Sequence, residues 1–192
     1  MKTLLRHIKD CTLCEAYLPL GPNPVVTASK TSKIVIIGQA PGIKVHRSGI
    51  PWDDASGAQL RQWLGVSTET FYDTANFAII PMGFCYPGKG KSGDLPPRPE
   101  CAPQWHAALL EQMPHIKLVL LIGSYAQKYY LKKEAKRTLT ETVANYNAYL
   151  PQYLPLPHPS PRNRFWFSKN PWFKTEVLPT LKDKVADLLN SK

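Results

Sequence analysis

Residues 33–42 have the sequence KIVIIGQAPG, a short apolar run followed by a glycine-rich turn. The run is rich in β-branched side chains and is typical of a strand buried on both faces of a parallel sheet. Open α/β folds bind their ligands where such turns leave the carboxyl ends of parallel strands. Any tight strand-to-loop connection needs a similar turn, so its function depends on what the rest of the chain contains.

Apolar runs and helical patterns alternate along the 192 residues. We predict strands at 33–37, 77–80, 117–122 and 153–156. The last of them contains Pro155 and is predicted at a sheet edge, because proline cannot donate a ladder hydrogen bond. The alternation predicts an α/β fold of three layers, α/β/α, with a central, mostly parallel four-stranded sheet. No shift in composition divides the chain, so residues 1–192 are predicted to form one domain with an N-terminal cysteine segment.

Helices are predicted between and around these strands. They span residues 3–9, 58–64, 68–72, 105–113, 124–131, 139–149 and 170–189. Ser56 is the predicted N-cap of the second helix, and a bend is expected near Pro179 in the last. Residues 43–57 are predicted as a long loop. Residues 81–103 are rich in proline and glycine and are predicted to lack regular structure.

The chain is basic, with 24 Lys and Arg residues, 14 Asp and Glu residues and a net charge of +10. This charge favours an acidic partner, nucleic acid first and an anionic membrane second, although a soluble protein can also be basic without such a partner. No apolar run reaches membrane-spanning length, and residues 1–9 are too charged for the core of a signal peptide. We therefore expect a cytoplasmic protein that does not act on a membrane.

Four cysteines in a reducing compartment need a reason other than disulfides. Cys11 and Cys14 form a C-x-x-C pair, and Cys85 and Cys101 bracket the proline-rich segment. The pattern predicts a structural metal site, and four thiolates suit zinc or a [4Fe–4S] cluster equally by ligand count. The wide gap between the second pair is unlike a zinc ribbon. The alternative is four unrelated thiols, some of them buried as small hydrophobic side chains.

Several motifs resemble the uracil-DNA glycosylase superfamily, in particular its iron–sulfur branches, families 4 and 5. Residues 38–42 are similar to the Gly-Glu-Ala-Pro-Gly turn of family 4, and residues 49–52, GIPW, to its Gly-x-Pro-Phe. Residues 54–57, DASG, resemble the Asp-x-Ser-Gly of family 5. Residues 123–128 and the HPSP at 158–161 are similar to segments of the best-known uracil glycosylases. The cysteines match the cluster ligands of the iron–sulfur branches in order and approximate spacing.

The resemblance implies a monomeric DNA glycosylase that hydrolyses the N-glycosidic bond of uracil or another deaminated base in DNA. It also implies a [4Fe–4S] cluster, with zinc less favoured. The implied metal ligands are Cys11, Cys14, Cys85 and Cys101.

Glycosylase chemistry needs a stacking surface for the flipped base, a stabiliser of the departing base anion and a group that orients water. The resemblance makes Trp52 the stacking candidate, although this residue could also be a core aromatic. It makes His158, in a loop stiffened by prolines, the catalytic donor to a base oxygen. The implied base pocket consists of Gly38, Gln39, Ala40, Pro41, Gly42, Trp52 and Pro81. Pro81 stands where family 4 has the asparagine that reads the pyrimidine, so selectivity for uracil is not implied.

At the positions where the families have their water-activating residue, this chain has different residue types. Gln39 replaces the glutamate of family 4, and Ala40 replaces the aspartate of the best-known enzymes. Neither an amide nor a methyl group can act as a general base. Asp54, by its match to family 5, is the carboxylate predicted to activate water, and Asp53 and His46 lie close to it in the sequence. An Asp-Asp pair is also typical of a solvated turn or a helix cap.

DNA contacts are predicted from Lys89 and Lys91 and from the residues that follow HPSP. Arg162 stands where the best-known enzymes have the leucine that fills the hole left by the flipped base. Basic residues interleaved with aromatic residues suit contacts to phosphates and bases, although a surface turn before a helix has the same pattern. The predicted DNA-binding residues are Ser160, Arg162, Asn163 and Arg164.

Two other functions stay open from the sequence. The first is a cluster-bearing protein that recognises a base or a damaged DNA end without cutting it, because the family 4 glutamate and asparagine are absent. The second is a covalent trap, in which His46 or another side chain captures the sugar cation instead of water.

Overall fold

The computed structural model describes residues 1–191, and Lys192, the last residue of the predicted domain, lies outside the described residues. Within this range the strands are β1 (Ile34–Ile37), β2 (Phe77–Ile79), β3 (Leu118–Ile122) and β4 (Tyr153–Leu156). They form one sheet in the order β2-β1-β3-β4, in which every neighbouring pair is parallel. The predicted α/β fold with a four-stranded parallel sheet is therefore confirmed, and β4 lies at the predicted edge.

Helices precede, separate and follow the strands. The α-helices of the described range are α1 (Lys2–Lys9), α2 (Ile43–Ser48), α3 (Ala55–Leu64), α4 (Thr68–Tyr72), α5 (Cys101–Glu111), α6 (Ser124–Leu131), α7 (Leu139–Ala144), α8 (Arg164–Lys169) and α9 (Leu178–Asn190). Short 3₁₀ turns lie at Glu15–Tyr17, Lys132–Glu134, Tyr146–Tyr149 and Pro161–Asn163, and a π-helical stretch, Phe173–Val177, leads into α9. No helix within residues 1–191 has the length and apolar character needed to span a bilayer.

Successive side chains of each strand pack on opposite faces of the sheet, which produces the three layers. On one face Ile36 of β1 shares a core with Leu60 of α3 and Leu181 of α9. On the other face Val35 of β1 shares a core with Leu109 of α5. All five side chains are fully buried, so both faces of the sheet are covered by helices.

Gln127 of α6 joins the carboxyl ends of two neighbouring strands. Its amide nitrogen donates to the carbonyl oxygens of Leu121 in β3 and Leu156 in β4, at 3.2 and 2.9 Å. The side chain is buried, so both hydrogen bonds form away from water. The start of the loop that follows β4 is thereby fixed against the centre of the sheet.

Residues 43–48 form α2 where the sequence predicts a loop. Gly49 ends this helix with a φ of 71°, and its N–H donates to the carbonyl oxygen of Val45 at 2.8 Å. Glycine adopts this left-handed conformation at helix ends without the strain that a side chain would add. Val45 is the buried residue of the helix, and one apolar contact in six residues gives no recognisable helical period.

Helix α3 begins at Ala55 with Asp54 as its N-cap, so the predicted cap at Ser56 is wrong. Asp54 Oδ1 accepts the N–H of Gly57 at 2.8 Å, which satisfies a first-turn donor. A Cβ on Gly57 would lie 1.8 Å from the carbonyl oxygen of Trp52. Glycine is therefore required here, and Asp54 has the capping role that the sequence left open.

Three further boundaries differ from the prediction. Helix α5 begins at Cys101, and Pro103 is tolerated because the first N–H groups of a helix have no partner within it. The predicted helix at 139–149 is divided into α7 and a 3₁₀ turn. In the last helix the irregular stretch, Phe173–Val177, ends two residues before Pro179.

Candidate active site

A cleft of about 660 Å³ opens at the carboxyl ends of β1, β2 and β4. The loops that follow parallel strands converge at this edge of the sheet, which is where the sequence predicts a ligand site. The predicted site residues that line the cleft are Gly38, Gln39, Ala40, Pro41, Gly42, Trp52, Asp54, Pro81, His158, Ser160, Arg162 and Asn163. Arg164 begins α8 and is not part of the lining.

Trp52 is held against the glycine-rich turn. Its backbone has a φ of 57°, an uncommon value for a residue with a side chain. A Cβ on Gly38 would lie 2.8 Å from Cζ2 of the indole ring, so only glycine allows the ring this position. The ring of Trp52 also lies beside the ring of His158, with centroids 5.6 Å apart and planes inclined by 33°. Two aromatic rings thus line one wall of the cleft.

His158 lies in the loop after β4 and is held by two hydrogen bonds. The N–H of Ser160 donates to Nδ1 of the ring at 3.2 Å, and Asn163 Nδ2 donates to the carbonyl oxygen of His158 at 2.7 Å. Burial lowers the pKa of His158, although the negative charge of Asp54 opposes this. A neutral ring that accepts at Nδ1 carries its proton on Nε2. Nε2–H is therefore the donor of this ring.

The glycine-rich turn is joined to the proline-rich segment. Gln39 Nε2 donates to the carbonyl oxygen of Leu95 at 3.2 Å. The carbonyl oxygens of Gly38 and Gln39 accept the N–H groups of Met82 and Gly83 at 2.8 and 3.0 Å. Gln39 is therefore a structural residue at the position of the family 4 glutamate.

The predicted acids and bases differ in their access to the cleft. Asp54 lines it, whereas Asp53 is exposed and, like His46, is not among the lining residues. The ring of His46 lies beside Tyr86 instead, with centroids 6.0 Å apart, and its Nδ1 is buried without a partner within residues 1–191. Of the three titratable candidates, the structure thus brings only Asp54 to the cleft.

Asp94 lines the same cleft, although the sequence does not single it out. Its Oδ2 would be 3.4 Å from a Cβ on Gly42. Desolvation raises the pKa of Asp94, and the positive charges of Arg162 and Lys89 oppose the rise. In the sequence, Asp94 is a single acid in a loop of glycines, prolines and lysines. The residues around it do not indicate that this loop folds back onto the turn after β1.

His106 of α5 supports the cleft from behind. It is 2% exposed, and its ring contacts the hydroxyl of Tyr130 and the carbonyl oxygen of Pro81 at 2.6 and 3.1 Å. Because a carbonyl oxygen can only accept, Nε2 carries the proton and Nδ1 accepts from the tyrosine. Burial lowers the pKa of His106 from 6.5 to about 4. Pro81, which lines the cleft, is thereby held by a neutral histidine.

The free energy of unfolding is expected to fall by about 3 kcal/mol between pH 6.5 and pH 4 because of His106. In this window the unfolded chain binds a proton at His106 that the folded protein excludes, so acid favours unfolding. Urea unfolding across this range measures the loss. His106→Gln should flatten this part of the profile, whereas His115→Gln, at an exposed position, should not. Equal profiles for wild type and His106→Gln would contradict the assignment.

A family model described as the uracil DNA glycosylase superfamily matches residues 25–182, well over half of the chain. The chain belongs to the uracil DNA glycosylase superfamily. The match includes every segment that lines the cleft, from the turn after β1 to the loop after β4. Cys85 and Cys101 lie within the matched range, and Cys11 and Cys14 lie before it.

The cysteines of this superfamily member are neighbours in space. Three of them are buried, Cys11 is half-buried, and none forms a disulfide. Burial, together with the nearby thiols of Cys14, Cys85 and Cys11, raises the pKa of Cys101 to about 12. Cys14 and Cys85 also pack together with Leu18. Among residues 1–191, however, no group of three or more His, Cys, Asp or Glu side chains is arranged to hold a metal ion.

The basic and aromatic segment after HPSP is divided between surface and core. Residues 161–163 form a 3₁₀ turn and α8 follows, as the alternative interpretation of this segment predicts. Phe165 is 69% exposed and lies 5.0 Å from the guanidinium of Arg164. Trp166 instead packs against the core and donates to the hydroxyl of Thr140 at 2.8 Å. In this superfamily member, Phe165 is therefore the aromatic residue of the segment that faces solvent.

Proposed function

We propose that this protein is a DNA glycosylase that hydrolyses the bond between the sugar and uracil or another deaminated base in DNA. The observation that carries the proposal is the position of His158. Its Nε2–H is a donor in a cleft at the carboxyl ends of the strands, beside an indole ring and a carboxylate. Membership of the uracil DNA glycosylase superfamily supports the same reaction.

The aromatic wall suits a base that has left the DNA stack. Extrusion of a base costs a few kcal/mol, and stacking on an aromatic side chain offsets part of this cost. Trp52 is the stacking partner in this proposal, with the turn at 38–42 as the edge of the pocket. The net charge of +10 supports DNA as the partner, since it favours phosphate binding.

His158 acts on the leaving base. As the bond between C1′ and the base nitrogen breaks, the electron pair moves to the base, and negative charge develops on its oxygens. A donor fixed in advance at that position stabilises the transition state more than the bound substrate. The N–H of Ser160 holds the ring of His158 at Nδ1, and the side chain of Asn163 holds its backbone carbonyl, so the residue is fixed for this role.

Asp54 supports the positive charge on the sugar in this proposal. The resemblance to family 5 assigns water activation to the same residue. However, Oδ1 of Asp54 already accepts the N–H of Gly57 at 2.8 Å and holds the start of α3. A carboxylate fixed in this way suits electrostatic stabilisation of an oxocarbenium-like sugar better than proton transfer.

The base specificity is proposed to be broader than uracil. Pro81 occupies the position of the amide that reads the pyrimidine in family 4, and its carbonyl oxygen accepts from His106. Neither group distinguishes a pyrimidine from a deaminated purine by direct hydrogen bonding. Hypoxanthine and xanthine are therefore candidate substrates together with uracil.

We also propose that the four cysteines hold a [4Fe–4S] cluster, which would place the protein in an iron–sulfur branch of the superfamily. Four free thiols that lie near one another, three of them buried, fit this group, although they have to move to coordinate it. The cluster would join the N-terminal segment to the loop that carries Cys85. Its role would be structural, and zinc on the same thiols is the alternative.

Incubation with oligonucleotides that contain uracil, hypoxanthine or xanthine tests the glycosylase function. We expect strand breaks after alkali, because loss of the base leaves an alkali-labile site, and no protein-bound DNA after denaturation. A band that survives denaturation would indicate the covalent trap, and reversible binding without breaks would indicate the recognition protein. His46, which is outside the cleft lining, gives the trap no support.

A further inference from the structure

We propose that Asp94 is the carboxylate that orients the attacking water and accepts its proton. This role rests on the glycosylase function proposed above. Asp94 is not among the residues that the resemblance to families 4 and 5 identifies. This role also separates the two carboxylates of the cleft, with Asp54 beside the sugar cation and Asp94 at the water.

The loop that carries Asp94 is fixed over the cleft by backbone hydrogen bonds. Lys89 and Asp94 form an isolated antiparallel bridge, and the N–H of Leu95 donates to the carbonyl oxygen of Gly88 at 2.9 Å. The side chain of Gln39 holds the carbonyl oxygen of Leu95 at 3.2 Å. The residue after Asp94 is thereby joined to the turn that follows β1, so Asp94 has a defined position at the cleft.

The carboxylate of Asp94 lies beside Gly42, the last residue of the turn after β1. Its Oδ2 is 3.4 Å from the place where a Cβ on Gly42 would stand. Any larger residue at that position would take up the space between the turn and the carboxylate. Asp54 and His158 line the same cleft, so the three groups border the space in which a nucleotide would bind.

The oxygens of Asp94 are available for a water molecule. Within residues 1–191 its side chain makes no hydrogen bond and no ion pair, whereas Asp54 is committed to the N–H of Gly57. Arg162 and Lys89 act on it as nearby positive charges and not as contacts. A carboxylate that lines an active site and has no hydrogen-bond partner in the protein is suited to bind and polarise water.

The environments of the two carboxylates favour different tasks. Burial and, to a smaller extent, the charge of Asp54 raise the pKa of Asp94, although the charges of Arg162 and Lys89 oppose the rise, and a carboxylate of raised pKa is a better proton acceptor. In the reaction, the oxygen of water bonds to C1′ while the bond from C1′ to the base breaks. The electron pair leaves with the base, which His158 stabilises, and the proton of water passes to Asp94 and then to solvent. No oxidant, reductant or further reactant is required.

The test compares single-turnover cleavage by three variants on a deaminated oligonucleotide that the wild type cleaves. Asp94→Asn should lower the rate by about 10²–10⁴, the usual range for loss of general-base catalysis. Asp183→Asn removes one carboxylate from an exposed position of α9 and should keep the wild-type rate. Asp94→Glu, which keeps a carboxylate, should recover part of the loss. Each variant should bind an uncleavable oligonucleotide with 2′-fluorouridine as the wild type does.

The pH profile distinguishes proton transfer from a structural role of Asp94. The groups that face this carboxylate are Arg162, Lys89, Asp54 and the hydroxyl of Tyr86. The wild-type rate should decline on the acid side as Asp94 is protonated, and Asp94→Asn should lose that decline.

The outcomes separate this proposal from the proposed function. A wild type that cleaves no deaminated base contradicts the glycosylase function itself. A wild type that cleaves, together with an Asp94→Asn variant of equal rate and equal pH profile, overturns only the role of Asp94. A loss of rate accompanied by an equal loss of DNA binding would also overturn it, since the residue would then act in binding.

Discussion

Replacement of His158 by alanine is expected to lower the single-turnover rate of base release by about 10²–10³, the range for loss of one donor to a developing oxyanion. The ring is held at Nδ1 by the N–H of Ser160, and its proton on Nε2 is the group lost in the variant. Because negative charge on the base develops only as the bond breaks, binding of the intact oligonucleotide should change far less than the rate.

Two further variants serve as controls for His158→Ala. His115→Ala removes an exposed imidazole and should keep the wild-type rate. His158→Gln supplies an amide N–H in place of the imidazole donor and should lose less than alanine. Rates at saturating enzyme, followed with an oligonucleotide that the wild type cleaves, give the chemical step directly. A His158→Ala variant with the wild-type rate would exclude this residue from leaving-group stabilisation.

The sheet could be predicted because its strands carry their signal locally. The run at 34–37 is apolar at every position, as is typical of a strand covered on both faces, and all four side chains are fully buried. Residues that follow parallel strands meet at one edge. The sequence assigns Gly38 and His158, which are far apart in the chain, to one site through the resemblance to the glycosylase families, and the parallel sheet is what brings them to the same edge.

The parts that could not be predicted depend on contacts between distant segments. Asp94 reaches Gly42 only because the proline-rich loop folds back over the turn after β1. Helix α2 has one buried side chain and a glycine end, which is too little for a periodic signal. The choice between Asp54 and Ser56 as the cap of α3 is equally hidden, because both residue types cap helices. The hydrogen bond from the N–H of Gly57 to Asp54 Oδ1 shows that Asp54 is the cap.

Loss of one cysteine of the proposed cluster is expected to have the largest effect on the protein as a whole. Wild-type protein purified without oxygen should be brown and hold about four irons per chain, as one [4Fe–4S] cluster requires. Cys85→Ser should lose the metal and the solubility together. In the proposed site the metal would join the N-terminal segment to the loop that follows β2, and binding of a structural metal is part of the folding free energy.

The structure indicates which surface this loss would expose. Ile8 of α1 is fully buried in the core on one face of the sheet, shortly before Cys11 in the sequence. Release of the N-terminal segment would uncover that face to solvent, and exposed apolar surface of this kind promotes aggregation. Thermal unfolding of whatever protein stays soluble should begin at a lower temperature than in the wild type.

Thr12→Ser is the matched control for Cys85→Ser, since Thr12 is exposed between Cys11 and Cys14 and its replacement spares every thiol. This variant should keep the metal, the colour and the thermal midpoint. Measurement of iron and zinc in all three proteins separates the possible metals. One zinc per colourless wild-type chain would keep the site and exclude the cluster. A metal-free wild type that matches Cys85→Ser in solubility and thermal midpoint would exclude a structural metal site at the four thiols.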